Sequence, residues 1–256
     1  MKKVNSVNTT TQASQQKVIL ITGASRGIGA FTARLLAQQG HKIMINYANN
    51  DAEAIQVQQS IQALGGTASI YKANISNSAE VTRLFDEIIQ TYGRIDVLIN
   101  NAGILKLNKI EDLDDDSIDQ VLAINIKGPL YTMREAAKKL AHGGKIINLS
   151  SSVIGMKLEG YGVYTASKAA IESLTAILAK ELRGKNITVN AIAPGPTATA
   201  LFLEGKSDAL IEQLSKAAPL ERLGTVEDIA AVLDFAVSDA SNWVNAQVLR
   251  VNGGIV

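Results

Sequence analysis

The chain has 256 residues, 46% of them hydrophobic, which suits one large α/β core. A formal net charge of +1 argues against a broad nucleic-acid-binding surface, and the absence of cysteine removes disulfides, thiolate nucleophiles and cysteine metal sites. With only two histidines, His41 and His142, far apart and expected at the surface, neither a histidine triad nor a metal centre is expected. No apolar run reaches the roughly 18 residues needed to span a membrane. Residues 1–16 are polar, lack an apolar core, and are expected to be a disordered tail rather than a signal peptide. Residues 17–256 are then a single domain, and a cytoplasmic location is the default expectation.

Lys17–Thr22 is a short, partly β-branched apolar run that reads as a buried strand. Gly23-Ala24-Ser25-Arg26-Gly27-Ile28-Gly29 follows at once, and a helical pattern then runs to Gly40. In the strand–turn–helix context the glycines carry a mechanism. Gly23 allows a tight turn, Gly27 lets backbone approach a pyrophosphate, and Gly29 lets the helix pack closely, while the helix N-terminus offers N–H donors. Lys42–Tyr47 is the second strand. NAD-preferring dinucleotide folds end this strand with an acidic residue for the ribose 2′-hydroxyl, about 20 residues after the glycines. Here Asn46, Tyr47, Ala48, Asn49 and Asn50 occupy that place, and none would repel a 2′-phosphate. Arg26 can pair with such a phosphate, so NADP(H) is favoured over NAD(H).

Helix 51–64, strand 68–73, helix 78–91 and strand 95–99 follow, the last ending in Asn100-Asn101-Ala102-Gly103. Regular βα units imply a doubly wound parallel sheet with helices on both faces. Ligands on such sheets sit beyond the carboxyl ends of the strands. The glycine turn, Asn74-Ile75, Asn101-Ala102-Gly103 and Ser151 all fall at such ends. Glu111–Asp119 carries six acidic residues and is expected to open a long helix ending near 141–144. Asn125, set among apolar neighbours in that helix, needs a partner, either through a bend or through water.

Lys145–Leu149 reads as a strand, followed by Ser150-Ser151-Ser152 and a helix reaching about Leu182. Tyr164 and Lys168 are one turn apart on that helix, and none of the other five tyrosines has a lysine four residues on. A free phenol has a pKa of about 10. An ammonium at about 4 Å, at an effective dielectric of about 20, favours the phenolate by roughly 4 kcal/mol. This gives an upper bound of about 3 pKa units of lowering, towards the range useful for general acid–base chemistry. Strand 187–193 ends at Pro194-Gly195-Pro196, and the interrupted amphipathic excursion 197–224 reads as a substrate lid. A helix at 226–238 and a strand at 247–251 complete the chain.

Over residues 17–254 these pieces resemble the short-chain dehydrogenase/reductase family, most closely its 3-oxoacyl-carrier-protein-reductase-like and carbonyl-reductase-like members. Thr22–Gly29 matches the family's glycine motif, Asn100–Gly103 its fourth-strand motif, and Pro194-Gly195 the motif after the sixth strand. Asn125, Ser151, Tyr164 and Lys168 match its catalytic tetrad, with the usual thirteen residues from serine to tyrosine. The resemblance implies a single-domain Rossmann fold with a sheet of about seven strands. It implies hydride transfer between a nicotinamide and a carbonyl or alcohol, with Tyr164 as proton donor and Ser151 bonded to the same oxygen. Lys168 would lower the Tyr164 pKa and bind the nicotinamide ribose, and Asn125 would hold a water linking Lys168 to solvent. Ser150 and Ser152 flank Ser151, so the serine assignment is open to a slip of one, although spacing favours Ser151. Thr197 stands near the carboxamide, where an aliphatic residue is frequent; Thr199 is expected at the cofactor phosphates. Asn74 replaces the usual aspartate beside the adenine. Val153, Ile154, Met156, Leu158, Leu201 and Phe202 suggest an apolar substrate wall. The acidic 111–119 segment tilts the reading towards a small-molecule carbonyl rather than an acidic carrier protein. The alternatives are an NAD-linked alcohol or sugar dehydrogenase and a non-catalytic dinucleotide sensor. A homotetramer is implied, with contacts through the last strand and helices 117–141 and 164–182.

Overall fold

The computed structural model describes residues 16–256; residues 1–15, nearly all of the expected polar tail, lie outside it. The elements are β1 (Val18–Ile21), α1 (Gly27–Gln38), β2 (Lys42–Tyr47), α2 (Asp51–Ala63), β3 (Thr67–Lys72), α3 (Ser78–Tyr92) and β4 (Val97–Asn100). After them come α4 (Asp115–Leu122), α5 (Gly128–Lys139), β5 (Lys145–Leu149), α6 (Val153–Met156), α7 (Gly162–Glu181) and β6 (Thr188–Pro194). The chain ends with α8 (Ala200–Leu203), α9 (Asp208–Ala217), α10 (Val226–Val237) and β7 (Val248–Val251).

The seven strands form one parallel sheet in the order β3-β2-β1-β4-β5-β6-β7. The chain winds outward from β1 to β3, returns to β4 beside β1, and winds the other way. That reversal opens a crevice at the carboxyl ends of β1 and β4. Alternation along each strand divides the core into two layers. Ile19, Ile21, Ile43, Ile45, Val97 and Ile99 face Leu36 of α1, Ile61 of α2 and Leu233 of α10. Val18, Leu20, Met44 and Leu98 face Phe85 and Ile88 of α3 and Met133 of α5. Strands buried on both faces need apolar residues throughout, which is why they appear as continuous runs in the sequence.

Helix starts follow capping chemistry. Asn50 accepts from Glu53 N, Asn77 from Ala79 N and Glu80 N, and Thr225 forms a reciprocal capping box with Asp228. No helix among the described residues is long and apolar enough to cross a membrane.

Two expectations need correction. The long helix after the acidic segment is in fact α4, a π-helical turn over Ala123–Lys127, and α5. The disruption centres on Asn125, whose side chain bonds to the backbone of a separate loop. His41 is not a surface residue: it is 4% exposed, and its Nδ1 accepts from Lys17 N at 3.2 Å. The turn at Gly40 folds β2 directly alongside β1, carrying His41 inward, and burial holds its pKa below the ordinary value.

Candidate active site

A cleft of about 500 Å³ lies at the carboxyl ends of the strands, where β1 and β4 diverge. Its nucleotide end is built from two interlocked loops. Gly23 has φ +62°, and a Cβ there would meet Ala102 Cα at 2.8 Å. At Gly29 a Cβ would meet Asn101 Nδ2 at 2.5 Å and Gly23 O at 2.8 Å. Asn101 uses its amide as a clasp, donating to Thr22 O and Gly23 O, both at 2.9 Å. Thr22 Oγ1 accepts from Asn101 N and Ala102 N, each at 3.1 Å. The glycine turn is therefore held by the fourth-strand loop, and α1 points its N-terminus at the cleft. No acidic residue lies in its first turn, and the exposed Arg26 at its N-cap makes no side-chain capping bond. This cradle of N–H groups with a cation beside it fits an anionic dinucleotide.

Gly27, Ile28, Asn74, Ile75, Gly103, Pro194 and Gly195 all line the cleft. Thr199 faces the glycine loop, its Cγ2 3.9 Å from where a Gly27 Cβ would stand. Its hydroxyl caps α8 by accepting from Phe202 N. Thr197 spends its hydroxyl on Gly195 O at 2.9 Å. At the end of β2 Asn46 and Tyr47 line the cleft, with side chains that have partners of their own. Asn46 donates its amide to Ala73 O at 2.9 Å and Tyr71 O at 3.2 Å, tying β2 to β3. Tyr47 is buried, and its hydroxyl bonds to Asp51, which also pairs with Lys72 at 3.0 Å. The wall beyond them is formed by Ala48, Asn49, Asn50 and Glu53. Glu53 was missed by sequence reasoning; its carboxylate accepts from Ser25 Oγ at 3.4 Å. Only the first turn of α2 folding back over the glycine loop reveals it.

At the other end, the three consecutive serines separate clearly. Ser150 donates to Glu172 at 2.7 Å, and Ser152 donates to Ala193 O while accepting from Asn252. Ser151 instead shares the cleft wall with Tyr164, near enough to oppose the rise in its pKa, and accepts from Val153 N at 3.3 Å. Lys168 is 5% exposed, donates to Leu149 O at 2.7 Å, and sits 5.7 Å from the Tyr164 ring centroid. Asn125 receives Ile104 N on Oδ1 and donates to Ile104 O, both at 2.9 Å, and also donates to Ser167 Oγ. A Cβ at Gly103 would lie 3.4 Å from Asn125 Oδ1 and 3.6 Å from Lys168 Nζ, so the two side chains converge on this bare Cα.

The electrostatics correct the expected effect of lysine on tyrosine. Burial pushes the Tyr164 phenol up to about 12; the Ser151 hydroxyl opposes this, and the neighbouring Tyr161 adds to it. Burial alone brings Lys168 down to about 8. The ammonium points at Leu149 O, and desolvation sets the direction of both shifts.

Apolar side chains line the rest of the cleft: Val153, Met156, Leu158, Leu201 and Phe202, joined by Ile104, Leu105 and Leu214. Ile154, expected among them, is not part of the wall. Tyr161, another residue missed in the sequence, stacks edge-on to Tyr164 at 6.5 Å between ring centroids. Residues 197–224 form a closed excursion, pinned at its neck by Gly224 N donating to Pro196 O and Ala198 N donating to Gly224 O.

A family model described as "Enoyl-(Acyl carrier protein) reductase" matches residues 23–256. A short-chain type dehydrogenase/reductase from Picea abies is 44% identical over 250 residues, 94% of this chain and 92% of that one. The chain belongs to the short-chain dehydrogenase/reductase family. Another member, an NADPH-dependent aldehyde reductase-like protein (chloroplastic) from Arabidopsis thaliana, is 38% identical over 94% of each chain. A short-chain dehydrogenase from Burkholderia cenocepacia, solved in complex with NADP, superposes with a TM-score of 0.88 at 31% identity, covering 94% of this chain and 97% of that one. This protein is accordingly a Rossmann-fold oxidoreductase.

Proposed function

We propose that the protein reduces a small apolar aldehyde or ketone to the alcohol with NADPH. The observation that carries this reading is the Ser151–Tyr164 hydroxyl pair, set in an apolar wall with the buried Lys168 behind it. Two hydroxyls converging on one point suit a carbonyl oxygen that gains negative charge. Tyr164 donates its proton to that oxygen, and Ser151 holds the oxygen in place. Lys168, with a pKa near 8, is positioned to re-supply the proton through the cluster at Gly103 and Asn125. NADP(H), when bound, supplies or accepts the hydride. Gly23, Ser25, Gly27, Ile28 and Thr199 would hold its phosphates, with Arg26, Ala48, Asn49 and Asn50 at the 2′-phosphate. The Arabidopsis relative's name and the NADP held by the Burkholderia structure support this cofactor.

A small-molecule substrate fits the mouth of the cleft. Asn108 N donates to Gly160 O, and the acidic 111–119 segment that follows this contact supports the reading, since it would repel an acidic carrier. The 197–224 excursion, carrying Leu201, Phe202 and Leu214 into the cleft, acts as the lid.

One observation favours a second reading, an NAD-linked dehydrogenase: Glu53 lies in the cleft beside Ser25, where a carboxylate suits a ribose hydroxyl better than a phosphate. Fluorescence titration of NADPH and NADH against wild type, Arg26→Ala and Glu53→Gln separates the two. The reductase reading requires NADPH to bind at least about tenfold tighter, about 1.4 kcal/mol, with Arg26→Ala erasing the gap. Equal or tighter NADH binding, weakened by Glu53→Gln, selects the dehydrogenase, and alcohols then become the substrates to screen.

A further inference from the structure

A second cavity, of about 480 Å³, lies at the opposite end of the strands, among the N-terminal ends of β4, β5 and β6 and the turn at 239–242. Its wall includes Lys145, the first residue of β5 and only 2% exposed. Its ammonium donates to Ser241 Oγ at 2.8 Å and Asn242 Oδ1 at 2.9 Å, both neutral acceptors. An ammonium has three N–H groups, so one is left over. The two carboxylates in the cavity are committed elsewhere. Asp96 takes Val18 N at 2.8 Å on one oxygen and the Arg94 guanidinium on the other. Asp239 pairs with Lys17 at 2.9 Å. Residues 1–15 contain no Asp or Glu, so they bring no counter-charge either. A buried cation with no carboxylate bonded to it is costly, and this one is held down to about 8 by burial and by Lys17, with the more distant Asp239 opposing.

We propose that this cavity is a binding site for a small inorganic oxyanion of the sulfate or phosphate type, held by Lys145 with Arg94, His142 and Asn186 at its rim. The lining chemistry selects that class. Among the described lining residues Val97 is the one apolar side chain, so no surface exists for an organic body, while Lys17, Arg94 and Lys145 outnumber Asp96 and Asp239. A tetrahedral anion accepts from several such donors at once and neutralises the excess charge. The site is separate from the nucleotide cleft, at the other end of the same strands, and its occupancy ties β1, β4 and β5 to the 239–242 turn.

The test is thermal unfolding of the full chain with sulfate as probe, exchanged against chloride at fixed ionic strength, for wild type, Lys145→Met and Arg26→Ala. The expected result is a saturable rise in Tm for wild type and Arg26→Ala that is absent in Lys145→Met. A rise without saturation is general salting-out and overturns the proposal. So does a gain that survives Lys145→Met, or one that disappears with Arg26→Ala, which would place the anion in the nucleotide cleft. Should Lys145→Met fail to fold, the Lys145 side-chain resonance of lysine-labelled wild type decides. It must shift saturably with sulfate, and a stationary resonance refutes the site.

Discussion

Lys168 carries a cost of burial that can be measured. Its pKa stands at about 8 in the fold against 10.5 for an ordinary lysine. Between these values the unfolded chain binds the extra proton, so stability attributable to this group rises with pH and is lowest below about pH 8. Integrating the two titrations from pH 7 to pH 10 gives a gain of about 2.5 kcal/mol. Lys168→Met removes the titration while keeping the length of the side chain. It also removes the bond to Leu149 O, but that loss is independent of pH. Lys145, also near 8, and Tyr164, near 12 in the fold, titrate in both proteins and cancel in the difference. Urea unfolding of both proteins at pH 7, 8, 9 and 10 reads the difference directly. Wild type should gain on Lys168→Met by about 2.5 kcal/mol across the series. A flat difference would mean that the ammonium is solvated or ion-paired, and the argument that burial sets its protonation would fail.

Three further predictions concern the cleft and the assembly. Tyr164→Phe should lower kcat for an aldehyde or ketone by about 10²–10⁴-fold with NADPH affinity intact, and Ser151→Ala should lower it by less, as steady-state kinetics and fluorescence titration will show. Gly29→Ala drives a methyl against Asn101 Nδ2 and Gly23 O. It should destabilise the fold by about 1–3 kcal/mol in urea unfolding and weaken NADPH binding at least about tenfold. Light scattering should give a homotetramer: β7 is an edge strand, and Leu130 of α5 and Ile177 of α7 are exposed. A single-chain mass of 27.2 kDa would refute that assembly.

The parallel sheet was legible because the central strands β1, β4 and β5 are buried along their whole length and read as short, mainly apolar runs. The Tyr164–Lys168 pair was legible because a helix fixes residues four apart on one face. What escaped depends on contacts between distant segments. The π-helical turn exists because Asn125 bonds Ile104 in another loop, and nothing in Ala123–Lys127 alone announces it. The end of β2 offered five polar or small candidates, and only the pairing with β3 shows that the Asn46 amide is occupied by Tyr71 O and Ala73 O. Glu53 enters because α2 returns over the glycine loop. The direction of the Tyr164 shift was misread for a related reason: spacing gives the distance between two groups but not their desolvation.

The positions of the catalytic candidates rest on residues that carry no motif of their own. Beneath the cleft Asn100 donates to Asn148 Oδ1 at 2.9 Å, Thr132 donates to Asn100 Oδ1 at 2.6 Å, and Asn148 donates to Thr175 Oγ1 at 2.8 Å. All four are at most 3% exposed. Thr132 also donates to Pro129 O, and Thr175 to Ile171 O, so each helix contributes a partner fixed by its own backbone. The chain of bonds runs from α5 through β4 and β5 to α7. It joins the strand that ends at the Asn101 clasp, the strand that ends at Ser151, and the helix that carries Tyr164 and Lys168. Apolar packing alone tolerates small slides of a helix along a sheet, because it has no direction. A satisfied polar chain in a low-dielectric interior does not, since every slide leaves a donor or acceptor unpaired. The hydroxyls of Ser151 and Tyr164 therefore meet on the cleft wall because a buried amide pair sets the register of the elements that carry them.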